Sequence, residues 1–159
     1  MTDDLLGKSI AYLSKLLRNN KISSVELVDY YFDRIEKFDK QIHAFLCTDK
    51  KLAMKQSKES DNKIKDGDQG PLTGIPYMLK DNICTNNFPT TAGSQILNDF
   101  YSNYDATVVK KLNIEGAVLL GKGNLDEFAM GSTNKTSFFV FWVFGFLPKS
   151  KVNQSNNSL

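Results

Sequence analysis

The stretches PYMLKDNI (residues 76–83) and DATVVKKLNIEGAVLLG (residues 105–121) decide the fold. Residues 76–79 form an apolar run that ends at Lys80-Asp81-Asn82, the pattern of a short strand entering a polar turn. In the second stretch Asp105 is placed to cap a helix running to Glu115, with Val108, Leu112 and Ile114 turned inward and Gly116 as its stop. Residues 117–120 follow as a compact apolar run closed by Gly121, the pattern of a buried strand. A strand, a helix of about eleven residues and a second strand predict an α/β layer architecture, with any chemistry carried on the connecting loops.

Upstream the chain reads as helical. Ile10, Leu13 and Leu17 recur at helical spacing with Leu16 beside them, and Asn19-Asn20 ends the run. Ser23-Ser24-Val25-Glu26 is a capping box, in which the Ser23 hydroxyl takes an orphan amide and Glu26 reaches back. Behind it Val25, Val28, Tyr31, Phe32 and Ile35 make one apolar face, with Asp33 and Lys37 paired opposite, which predicts a helix over 24–38. Residues 42–48 are a strand or an extended linker. Asp49 then caps a Lys-rich helix to about residue 65, whose apolar face is only Leu52, Ala53 and Ile64. So thin a face suits a solvated helix lying on another layer, and its interspersed acids and lack of aromatics suit a wet surface better than an RNA site.

Composition narrows the function classes. The 159 residues carry 20 basic against 18 acidic side chains, a net charge of +2, which argues against a nucleic-acid-coating protein. At 41% hydrophobic and 24% charged, wholesale disorder is excluded. Two cysteines, Cys47 and Cys84, and one histidine, His43, supply neither a disulfide framework, a zinc-ligand spacing nor a Ser-His triad, so no metal site is expected. Asp3 and Asp4 stand where a secretory leader carries basic residues, which predicts a cytoplasmic chain with reduced thiols. The apolar run at residues 138–147 (FFVFWVFGFL) spans about 15 Å as a helix, half of a bilayer core of about 30 Å.

Lys80 is the first candidate for chemistry. A lysine buried at a strand end loses the hydration of its charge and can act as a base near neutrality; an exposed Lys-Asp pair there is the plainer alternative. GPLTGIP (70–76) and TTAGS (90–94) supply backbone freedom and small hydroxyls, and neither is a phosphate loop. Gly121-Lys122-Gly123-Asn124 reads as a turn leaving a strand, and Asp126-Glu127 as charges at a helix start. Cys84 has no histidine to activate it.

Taken together, the stretches ISSVELVDYYFDRIEKFDKQIHAF, GPLTGIPYMLKDNICTNNFPTTAGSQIL, YDATVVKKL and GAVLLGKGNLDEFAMGSTNKTSFF closely resemble, in order and spacing, the start of amidase-signature enzymes. The resemblance covers about residues 9–139 and is strongest to the glutamine-hydrolysing subunits of tRNA-dependent amidotransferases. It implies amino-terminal helices over 1–66, then over 67–137 the first strands and helices of a mixed-sheet α/β core, left incomplete. It also implies a Ser–Ser–Lys machine. A neutral lysine takes a proton from a bridging serine, which deprotonates a nucleophilic serine that attacks the glutamine side-chain amide. The lysine carries over onto Lys80, and Met130, Gly131 and Ser132 match a loop lining the acyl pocket. Ammonia would pass to the partner B subunit, where ATP and Mg²⁺ serve the amidation of Glu-tRNA(Gln), the complex being completed by the C subunit.

Past STNKTSFF the chain departs from that pattern. The GGSSGGS-type and GSDTGGS-type stretches that hold the two serines do not occur in the 159 residues, so neither catalytic serine is expected here. An aromatic, then polar tail over 138–159 stands in their place. The expectation is a truncated or frame-shifted family member without turnover of its own, since triad residues act as a unit. The alternatives are a non-catalytic fragment that binds partner subunits or a complementary downstream piece, and a fragment of another amidase-signature hydrolase.

Overall fold

The computed structural model describes residues 5–139. The first helix, α1 (Ile10–Arg18), is capped by Ser9 and buries Leu13 and Leu17, with Asn19 closing it as expected. The second, α2 (Ser24–Ile42), starts on the capping box. Ser23 Oγ accepts from the Glu26 N–H at 3.1 Å, and Glu26 Oε2 accepts from the Ser23 N–H at 2.7 Å. It runs beyond the predicted end near 38 to Ile42, where His43 adopts φ 52° and donates its N–H to the Asp39 carbonyl. A left-handed cap on a residue other than glycine leaves no glycine signal to read. The buried face is Leu27, Val28 and Phe32, with Val25 and Ile35 only half-buried. Leu27, wholly enclosed and missing from the predicted stripe, contributes roughly 1.5–3 kcal/mol of transfer free energy.

Residues 45–48 form strand β1 (Phe45–Thr48), and Asp49 caps α3 (Lys50–Lys65) by accepting from the Leu52 N–H at 2.8 Å. The thin face of α3 has its explanation in small and polar side chains. Ala53, Ser57 and Ser60 are the buried positions; Ser60 Oγ donates to the Gly116 carbonyl at 2.8 Å, and Gln56 Oε1 accepts from the Leu119 N–H at 2.9 Å. Hydrogen bonds to the sheet layer replace part of an apolar stripe.

Three strands make one mixed sheet in the order β1-β3-β2, where β2 is Pro76–Lys80 and β3 is Val118–Gly123. The central β3 runs parallel to β2 and antiparallel to β1, and α4 (Thr107–Ile114) lies in the parallel connection. Val118 and Leu120 pack on Val28, Phe32 and Ala53, whereas Leu119 meets Leu79, Phe88 and Val109 on the opposite face. The α/β class is therefore as expected.

Two details differ from expectation. Asp105 does not cap α4: its Oδ1 accepts from Thr85 Oγ1 at 2.8 Å and from the Asn86 N–H at 2.9 Å, so the cap position falls one residue later, on Ala106, with no side-chain cap. Val109 is then the inward valine, while Val108 and Ile114 are exposed. Adjacent valines on a helix point about 100° apart, so one sheet face can take only one of them.

The second difference is that β3 does not stop at Gly121. A β-carbon there would lie 2.2 Å from the Cys47 carbonyl oxygen, so this glycine permits close strand approach instead of ending the strand. Tyr77 pairs with Leu119 and Met78 with Gly121, which leaves Leu120 as an extra, bulged residue.

Candidate functional site

Lys80 is the last residue of β2 and is exposed. Its neighbour Asp81 turns the other way and is fully buried, so the two do not form the surface pair that adjacency suggests. The partner of Asp81 is Lys122. The Lys122 ammonium lies 3.1 Å from Asp81 Oδ1, and both side chains are essentially closed to solvent. The Oδ1 contact is an ion pair without an aligned hydrogen bond. The ammonium also donates to the Ile83 carbonyl at 3.1 Å, the Pro89 carbonyl at 2.9 Å and Thr90 Oγ1 at 3.1 Å. A buried lysine persists only when such partners replace its lost water. Burial, with the Asp81 carboxylate next, pushes the Cys47 thiol up to about 11, which leaves it protonated and unreactive.

The Thr-Thr-Ala-Gly-Ser loop folds over this pair. Asp81 Oδ2 accepts from the Thr91 N–H at 2.9 Å and from the Thr91 hydroxyl, and the Asp81 carbonyl accepts from the Ala92 N–H at 3.3 Å. The loop in turn receives the segment after β3: the Phe128 N–H donates to the Ala92 carbonyl and the Phe138 N–H to the Gly93 carbonyl, each at 2.8 Å. Ser94 Oγ donates to Glu127 Oε1 at 2.6 Å. Small side chains let three backbone segments meet at the strand end.

Asp126 and Glu127 do not open a regular helix; a 3₁₀ turn over Glu127–Ala129 follows instead. The Asp126 carboxylate organises the next turn by accepting from the N–H groups of Thr133, Asn134 and Thr136 at 2.8, 2.8 and 3.1 Å, and from Thr136 Oγ1 at 2.9 Å. Gly131 passes over it, where a β-carbon would sit 2.5 Å from Asp126 Cγ. Met130, Gly131 and Ser132 all face solvent, Met130 at 80% exposure. They are tied to the Lys80 end through the Asp81–Ala92–Phe128 backbone bonds. Burial works to raise the Asp126 pKa, but the bonds from Asn134, Thr136 and Thr133 together outweigh it and lower it from 3.8 to about 2.

A carboxylate depressed in the folded state stabilises fully above its ordinary value near 4, and that contribution is lost as pH falls through about 2. The protection of the Thr133, Asn134 and Thr136 amides against exchange, relative to their intrinsic rates at each pH, is therefore expected to fall between pH 4 and pH 2. Asp126→Asn should remove that acid transition. An unchanged transition in the variant would assign it elsewhere.

A surface groove between α1 and the Pro71–Leu72 turn, lined by Ile10, Ser14 and Arg18, includes no residue of the Lys80 end. The predicted tail lies outside the described residues from 140 onward. No described helix is long and apolar enough to cross a membrane. Lys122 is the functional-site candidate that the linear reading passes over. The available signal is a lone lysine placed directly after four apolar residues and a glycine.

Solved amide-hydrolysing enzymes share this fold. Peptide amidase from Stenotrophomonas maltophilia superposes with a TM-score of 0.74 at 35% identity, over 79% of this chain and 26% of that one. A bacterial aryl acylamidase of the amidase-signature family gives 0.69 at 27% identity, over 76% and 26%. The class is thus an amidase-type α/β fold. The Amidase family model matches residues 26–145, and the chain belongs to that family. Two curated relatives, from Methylobacillus flagellatus and Dehalococcoides mccartyi, each bear the name of the A subunit of glutamyl-tRNA(Gln) amidotransferase. They are 43% and 48% identical over 135 and 136 residues, covering 85% and 86% of this chain. The chain spans 28% of the length of either relative.

Proposed function

We propose that this chain is the amino-terminal part of the glutamine-hydrolysing A subunit of a glutamyl-tRNA(Gln) amidotransferase. The observation that carries the reading is the 48% identity over 136 residues to a relative of that name. In this reading Lys80 is the proton acceptor for two serines that lie beyond the 159 residues. The nucleophilic serine attacks the glutamine side-chain carbonyl, the C–N bond breaks, and the proton drawn from that serine leaves with ammonia. Water then cleaves the acyl-enzyme to glutamate. Ammonia passes to the B subunit, which uses ATP and Mg²⁺ to amidate Glu-tRNA(Gln), and the assembly is completed by the C subunit. Lys80 is open to water here, and a lysine acts as a base near neutrality only where burial disfavours its charge. The reading therefore assigns its enclosure to the portion of the relatives beyond this span. Met130, Gly131 and Ser132 are proposed to border the acyl pocket. By itself the chain is proposed to be without turnover, and cytoplasmic.

The test is ammonia release from glutamine, first by the chain alone. It is then repeated with the chain mixed with the B and C subunits and with the downstream portion of a relative's A subunit. None is expected alone. Release is expected in the mixture, with a loss of roughly a hundred-fold or more in Lys80→Ala. Ammonia from the chain alone, abolished by Lys80→Ala, would overturn the claim of inactivity. A mixture that assembles but stays silent would overturn the glutaminase reading. The likeness to peptide amidase supports a second reading, a small-amide hydrolase, which the same mixture tests with a peptide amide in place of glutamine.

A further inference from the structure

The proton relay proposed above leaves Lys122 unused, although it is the largest side chain fully enclosed in the described fold. Its four oxygen partners, three hydrogen-bond acceptors and one counter-charge, come from three places: Asp81 directly after Lys80, Ile83 in the turn that leaves β2, and Pro89 with Thr90 at the entry to the Thr-Thr-Ala-Gly-Ser loop. An ammonium has three protons, and the three hydrogen bonds to Ile83, Pro89 and Thr90 use all of them, leaving none for transfer to a substrate, while Asp81 supplies the counter-charge. Asp81 extends the connection, because Thr91 and Ala92 donate to it and its own N–H donates to the Gly123 carbonyl at 3.0 Å. One cation thus joins the strand end that carries Lys80, the turn after it and the loop that folds over it.

We propose that Lys122 is a positioning residue for the site at Lys80, acting through Asp81 and the 89–92 backbone and not by touching substrate. This rests on the reading of Lys80 given above. Stability alone would require three acceptors and a counter-charge, but these could come from any part of the core. Here every acceptor belongs to the segments that set where Lys80 stands and what faces it.

The full 159-residue chain with Lys122→Met is compared with wild type by two readouts. Amide hydrogen exchange at Thr91 and Ala92 is expected to rise roughly ten-fold beyond any rise at Leu27, Val28 and Phe32, whose amides report the global loss of stability. Acylation of Lys80 by an N-hydroxysuccinimide ester, resolved by mass spectrometry, is expected to shift by roughly three-fold or more, with exposed Lys110 and Lys111 unchanged. If the single variant fails to fold, Asp81→Asn/Lys122→Met, which strands no charge, carries the same readouts. Folded variants in which Lys80 reacts as in wild type would overturn the proposal, as would a shift shared equally by α2 amides and all lysines. Neither readout uses glutamine turnover. A responsive Lys80 in a chain whose assembled form releases no ammonia removes the glutaminase reading and leaves the clamp; an unresponsive Lys80 in an active assembly removes the clamp alone.

Discussion

Lys122→Met is expected to lower the free energy of unfolding by about 3–5 kcal/mol, because it strands the Asp81 carboxylate in a place water does not reach. That is a large part of the roughly 5–15 kcal/mol that holds an ordinary domain folded. Urea unfolding followed by far-UV circular dichroism measures it. The sign of the pair's net contribution is a separate matter, since two charges taken out of water lose much of what their attraction returns. The double variant Asp81→Asn/Lys122→Met should therefore recover most of the loss, as the asparagine oxygen can still accept from Thr91. Equal losses in the single and double variants would show that the ion pair is not what the methionine disrupts.

The second large effect is expected at Gly121. An alanine there puts its β-carbon 2.2 Å from the Cys47 carbonyl oxygen and 2.9 Å from the Thr48 α-carbon, both backbone atoms of a paired strand. Neither can swing aside, so β1 must move away from β3, at a cost of about 3 kcal/mol. Gly70→Ala is the control. Its β-carbon would come within 2.4 Å of Glu115 Oε2, the far end of a flexible side chain, and should change stability by no more than about 0.5 kcal/mol. A pair of equal urea midpoints would contradict the assignment of Gly121 to close strand approach.

What the linear chain reveals here follows from how far each interaction reaches. The Ser23–Glu26 box and the Asp49 cap are decided within three residues, and both stand where the spacing puts them. Asp105 looks equally local, but Thr85 and Asn86, about twenty positions upstream, hold its carboxylate. The end of α2 escapes the pattern because His43 takes a backbone conformation usually given to glycine. The thin face of α3 marks a helix unable to stand alone, yet the serine and glutamine hooks that dock it become visible only with the sheet in place. Lys80 stands out from its place at a strand end. Lys122 does not, because a lysine between two glycines looks like a turn, and its acceptors lie 32 to 39 positions away.

The extra residue in β3 has one more consequence. Side chains along a regular strand alternate, so residue 122 would ordinarily point the same way as Leu120, into the greasy layer formed by Val28 and Phe32. The bulge reverses that parity and delivers the charge to the oxygens on the other side. Closing the bulge with every residue of the strand kept would turn residue 122 towards Val28 and Phe32 and drive an ammonium among hydrocarbons, so the irregularity is held in place by electrostatics as well as by sheet pairing.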